Sequence, residues 1–321
     1  MAATNDGSGM GATYGSLLIG TILSGIFYGI TSLQSIHYFN GYADRDQWKM
    51  KTLVSVLLLI DTIVMVLHFH AAYHYFVVAF GDASALEGQI MTWSFQLESV
   101  FTGVVTFLCQ MFFVIRIRKL HRGLYPDSTF APWLFSSLTL LAVVAFVTSL
   151  VLSIILFLNP LWLTLETERL QELMIANIVF ATVLDVFITI ALCVILERHR
   201  SGFKSTDSLI NGLMRFMITR GIITTVIQGA TLVTYLALPS TFIWLIFHLS
   251  TSKIYANAVL TTLTSRTPPR VVNNKDTEIP GDTWNERDPN ACVTSTTISF
   301  QAQPDMLSCT TVALEDSRIR A

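Results

Sequence analysis

Apolar residues run along this chain in long stretches, with the polar residues gathered in short segments between them. A bilayer core about 30 Å thick needs about 20 apolar residues in a helix rising about 1.5 Å per residue. Seven runs reach that length: residues 14–38, 52–78, 90–115, 132–158, 173–196, 213–238 and 241–263. The last two are separated only by Pro239 and Ser240, a breaker that predicts an antiparallel hairpin. The pattern predicts an all-α membrane protein in which residues 14–266 form a bundle of seven transmembrane helices.

Charge between the runs sets an expected orientation. One side carries Arg45, Lys49 and Lys51, then Arg116, Arg118, Lys119 and Arg122, then Arg198, Arg200, Lys204 and Arg215. The other side carries only Arg169. Basic loops stay cytosolic, so the N-terminus is expected outside and the C-terminus in the cytosol. Residues 1–13 lack Lys and Arg and read as a short extracellular N-terminus, with the first run an uncleaved anchor. Beyond Thr264 the chain turns polar, with Pro268-Pro269, Asn273-Asn274 and Pro280-Gly281. Residues 267–321 read as a disordered cytosolic tail whose hydroxyls offer phosphorylation sites.

Composition agrees with a membrane chain: 52% of residues are hydrophobic and 13% charged, against about 25% charged in soluble domains. A net charge of −2 without a basic patch gives no basis for binding nucleic acid. Cys109 and Cys193 fall in apolar runs and Cys292 and Cys309 in the tail, so no extracellular disulfide is expected. Gly25 and Gly29 have the Gly-x-x-x-Gly spacing that lets helices approach closely, within the bundle or in a homodimer.

Ionisable residues at membrane depth mark sites of interest. By helical rise from the nearest basic flank, Asp61 lies roughly 15 Å deep, and Asp185 and Lys253 roughly 20 Å. A lone charge there costs about 2.5–3.5 kcal/mol or more. Lys253 is therefore expected to pair with Asp61 or Asp185, with Asn257 one turn below on the same face. Such a cluster fixes helix register, holds a ligand or ion, or acts as a switch. Arg220 lies roughly 7 Å beyond Arg215, close enough to snorkel to the interface.

A second polar cluster is expected at the outer mouth: His70, His74, Asp82, Glu98 and His248. His70 and His74 stand at i and i+4, able to share a metal, while His68 points elsewhere on the wheel. A zinc centre needs a third ligand, and intramembrane hydrolases of the ceramidase type supply a histidine pair from the seventh helix. Only His248 stands there, so no metal site is assigned. Lys253 sits where rhodopsins carry their retinal lysine, but Leu249 replaces the Asp one turn earlier. No cofactor is expected.

Several stretches resemble a family of seven-helix membrane proteins of mushroom-forming fungi, domain of unknown function 6534. They are Asp44-Arg45-Asp46-Gln47-Trp48, Ala79-Phe80-Gly81-Asp82 with Ala85-Leu86, Arg116-Ile117-Arg118, the loop from Ser201 to Asn211, Lys253-Ile254-Tyr255-Ala256-Asn257, and Leu263-Thr264-Ser265-Arg266. Thr264 stands where that family usually has Asn, and Thr219-Arg220 where it usually has Glu-Thr. The resemblance implies the seven-helix topology and no defined activity. Read physically, Thr206-Asp207-Ser208 is a candidate cap for the sixth helix, and Phe80-Gly81-Asp82 a glycine stop after the second.

The leading functional expectation is a receptor-like or sensory protein of the plasma membrane, meeting a cytosolic signalling partner through the loop from Ser201 to Asn211 and the tail. The alternative is a transporter or channel using Asp61, Asp185 and Lys253. A metal-dependent intramembrane hydrolase is a lesser alternative. Arg116-Ile117-Arg118 replaces the Asp-Arg-Tyr-type triplet of rhodopsin-like receptors, which places the chain outside that class.

Overall fold

The computed structural model describes residues 7–44, 46–78, 91–124, 130–161, 167–198, 204–238 and 241–265. The expected tail, the Phe80-Gly81-Asp82 stop, the Pro239-Ser240 breaker and the start of the third cytosolic loop, residues 201–203, lie outside the described residues. Every regular element among the described residues is a helix. They are α1 (Gly7–Gly41), α2 (Trp48–Tyr73), α3 (Trp93–Leu124), α4 (Phe130–Leu158), α5 (Glu168–Arg198), α6 (Lys204–Ala237), α7 (Trp244–His248) and α8 (Thr251–Thr264). A π-type turn, His74–Val78, ends α2.

Helices form because a backbone in lipid has no water to bond and must satisfy its N–H and C=O groups within the segment. Among the described residues six helices, α1 to α6, are long and apolar enough to cross a membrane. The chain is therefore a multi-pass integral membrane protein. Several helices outrun their apolar stretches: α3 carries Arg116, Arg118, Lys119 and Arg122 within its last turns. α6 begins at Lys204, so Thr206, Asp207 and Ser208 lie inside its first turns and not at its cap. The seventh apolar run differs from expectation. It is divided at Leu249 and Ser250 into α7 and α8, neither of them a full span in length. The turn tightens there: the Ser250 N–H donates to the Phe247 carbonyl at 3.2 Å, and its hydroxyl donates to the Ile246 carbonyl at 3.2 Å.

Consecutive helices pack against one another from α1 to α6, and α7 and α8 fit between α6 and α1 to close the ring. α3 and α8 meet across the interior. Side chains sort as lipid requires, with large apolar residues outward and small polar ones inward. On α1, Leu18, Ile22, Ile26 and Leu33 are exposed, while Ser16, Ser24, Thr31 and Ser35 are buried. Two apolar clusters fill the interior at different levels. One gathers Tyr38, Leu57, Phe113, Ile188, Tyr255 and Leu263. The other gathers Leu17, Tyr75, Phe95, Leu156, Trp244 and Leu249. Between them, along α1, α2, α3 and α8, fall the buried polar residues Ser24, Asp61, His68, Glu98, Ser252 and Lys253.

The close approach of α1 to α7 depends on Gly20. A Cβ there would lie 2.9 Å from Leu249 Cδ1 and 3.2 Å from both Ile246 Cα and the Leu245 carbonyl oxygen. Gly25 faces Met65 within the bundle, its Cβ position 3.2 Å from the Met65 methyl, whereas Gly29 opens onto free space. Replacing Gly20 by Val should force the two helices apart at a cost of about 1–3 kcal/mol, read as earlier thermal unfolding in detergent. Gly29→Ala should leave the unfolding temperature unchanged; equal losses in both variants would contradict this packing.

Candidate functional site

The polar residues of α7 and α8 each reach a different neighbour. His248 Nε2 at the end of α7 lies 3.7 Å from Glu98 Oε2 on α3. Lys253 Nζ lies 2.9 Å from Asp61 Oδ1 on α2 and donates to the Asp61 main-chain carbonyl at 3.1 Å. The Tyr255 hydroxyl donates to Asp185 Oδ2 on α5 at 2.5 Å and accepts from Gln228 Nε2 on α6 at 2.5 Å. Asn257 Nδ2 donates to the Phe27 carbonyl on α1 at 3.2 Å, and its Oδ1 accepts from Thr31 at 3.0 Å. Five helices are thus tied to one polar ladder.

Lys253 and Asp61 are both fully buried, and so is Asp185. Asp185 and Asn257 do not join the lysine pair. Asp185 instead meets Arg220, whose Nη2 donates to Oδ1 at 3.2 Å. The guanidinium lies over the Phe113 ring, 3.9 Å from its centroid. Arg220 is 3% exposed, so the expected snorkelling does not occur. It lies on the buried stripe of α6 with Thr224, Gln228 and Thr231, which faces it to Asp185 and the Phe113 ring.

The histidines also sort differently from the expected mouth cluster. Glu98, 1% exposed, lies between His248 and His68, whose Nε2 is 3.5 Å from Oε1. Thr102 donates to the same Oε1 at 2.7 Å, and His68 Nδ1 bonds to the Ser24 hydroxyl at 3.0 Å. His70 instead bonds Ser94 at 3.0 Å and sits against the Trp93 ring. His74 packs edge-on to Tyr75. The i, i+4 pair therefore does not converge with Glu98 and His248, and Asp82 lies outside the described residues. Among the described residues no group of three His, Cys, Asp or Glu is arranged to hold a metal ion. Cys109 and Cys193 are free thiols.

Sequence reasoning gave no place in a site to Arg220, Tyr255, Gln228 or His68. The signals were periodic. Arg220, Thr224, Gln228 and Thr231 recur at helical spacing and are all buried, marking one inward stripe of α6. His68 stands seven residues after Asp61, two turns along the same face, where His70 does not.

Residues 181–268 match the model of a family of unknown function (DUF6534). The matched stretch takes in most of α5 and all of α6, α7 and α8, and with them Asp185, Arg220, Lys253 and Tyr255. No curated protein matches the chain, and no solved structure does.

Removing one partner of a buried ion pair strands the other, at a cost of about 3–5 kcal/mol. Lys253→Met should therefore sharply lower the yield of monodisperse detergent-purified protein, and Asp61→Asn added to it should restore much of that yield. Asp185→Asn added instead should not rescue. Rescue by the wrong partner, or an undiminished single variant, would dissociate Lys253 from Asp61.

Proposed function

We propose that the chain is a receptor-like or sensory protein of the plasma membrane, a seven-span bundle with its N-terminus outside and its tail in the cytosol. Residues 244–264 together rise roughly 31 Å at 1.5 Å each, enough for a seventh span despite the tightened turn. The asymmetry of basic residues favours this orientation. The observation that carries the functional reading is the polar ladder of the seventh span, which ties one element to five others. A ligand that changes the position of this element changes contacts throughout the bundle, which is the coupling a membrane receptor needs. The loop from Ser201 to Asn211 and the tail are then the surface offered to a cytosolic partner.

One observation favours a transporter instead. The turn at Leu249 and Ser250 interrupts the helix beside His248 and Lys253, and broken helices near buried charges are a feature of transporter sites. Proteoliposomes separate the two. The receptor-like reading expects no proton or small-solute flux above protein-free vesicles, and flux by the unaltered chain that is lost in the folded Lys253→Met, Asp61→Asn double variant would establish transport in its place. Orientation is checked by adding Asn-x-Thr acceptor sites. A site within residues 1–13 should be glycosylated only when distanced from the first span by a spacer, and one in the tail should never be.

A further inference from the structure

A cavity of about 100 Å3 lies among α3, α4, α5, α6, α7 and α8. Its lining includes Thr102, Gln110, Asn177, Gln228, Thr231 and His248. We infer that this cavity binds a small uncharged molecule carrying both a hydrogen-bond donor and an acceptor, of the size and chemistry of a simple amide.

Among the described residues the lining contains no Asp, Glu, Lys or Arg. His248, the one ionisable group among them, already faces Glu98. A full charge inside would therefore meet no opposite charge, which disfavours an ion.

Three of the hydroxyls around it have committed their protons. Thr102 donates to Glu98 at 2.7 Å, Thr231 to the Ile227 carbonyl at 2.9 Å, and Thr251, also in the wall, to the Phe247 carbonyl at 3.1 Å. What these three side chains retain is acceptor capacity, which suits an occupant that donates. Gln110 supplies the complementary demand. It is 1% exposed, and its Nε2 has no hydrogen-bond partner among the described residues. Buried polar groups in native proteins are nearly always paired, and an acceptor on an occupant would pair this amide.

Size narrows the class. A cavity of about 150 Å3 takes benzene, so this smaller one suits about four or five non-hydrogen atoms. A primary amide combines one carbonyl for Gln110 with two N–H groups for the threonine oxygens. Any effect of occupancy on the seventh span rests on the receptor-like reading, whereas the binding chemistry stands on the cavity alone. Gln228 joins the two, since it lines the cavity and donates to Tyr255 at 2.5 Å.

The test uses three probes of equal size on the full chain in nanodiscs: acetamide, acetone, which lacks the donor, and acetate, which is charged. Ligand-observed NMR should detect acetamide with a Kd between about tens of micromolar and millimolar, as its few atoms allow. Acetone and acetate should bind at least about tenfold more weakly. Gln110→Leu and Ala181→Leu, the second filling the cavity from its wall, should each abolish the acetamide signal, with thermal unfolding of either variant confirming a folded bundle. Absence of acetamide binding, equal binding of all three probes, or binding that survives in a folded variant would overturn the inference. Failure here with no vesicle flux leaves the receptor-like reading standing. Acetamide binding accompanied by flux keeps the site and removes the receptor.

Discussion

Charge held away from water is the constraint on which the rest of this bundle depends. Asp61, Glu98, Asp185, Arg220 and Lys253 are all buried among helices whose outer faces are apolar. Each is accommodated by a specific neighbour: Asp61 with Lys253, Asp185 with Arg220, and Glu98 between two imidazoles. Buried pairs add little net stability compared with apolar packing, but a mismatched arrangement leaves a charge stranded. A register of the helices that separated these partners would strand a charge in that way.

The segment formed by α7 and α8 concentrates this constraint. Ten of the fourteen residues of α8 are buried, and polar side chains of α7 and α8 reach α1, α2, α3, α5 and α6. Such an element behaves as the axle of the bundle rather than as one stave of a barrel. The polar cavity lies against it through His248 and Thr251. Whatever enters that space acts on a helix whose position is shared by most of the others.

Much of the architecture was legible in the sequence because hydrophobic length is a direct consequence of bilayer thickness. Six of the seven apolar runs correspond to continuous helices long enough to span. The division of the last run was not legible, since the tightened turn at Ser250 involves an ordinary serine with no proline or glycine beside it. The buried charges were visible by depth, but partner choice was harder. The distance of Arg220 from Arg215 is an axial measure that ignores rotation about the helix, whereas the inward direction of its stripe decides its partner. The i, i+4 spacing of His70 and His74 was likewise a true local geometry, directed to Ser94 and Tyr75 and away from Glu98.

The order of the ladder along the chain has a consequence for biosynthesis. Helices leave the ribosome from the N-terminus onward. Asp185 gains Arg220 one helix later, but Asp61 enters with α2 and its lysine arrives only with α8. During that interval the carboxylate has no cationic partner from its own bundle. A chain cut short before Lys253 therefore carries a permanent mark of incompleteness inside the membrane, an unmatched acid that a finished molecule does not display. Arrival of Lys253 and concealment of that mark are the same event.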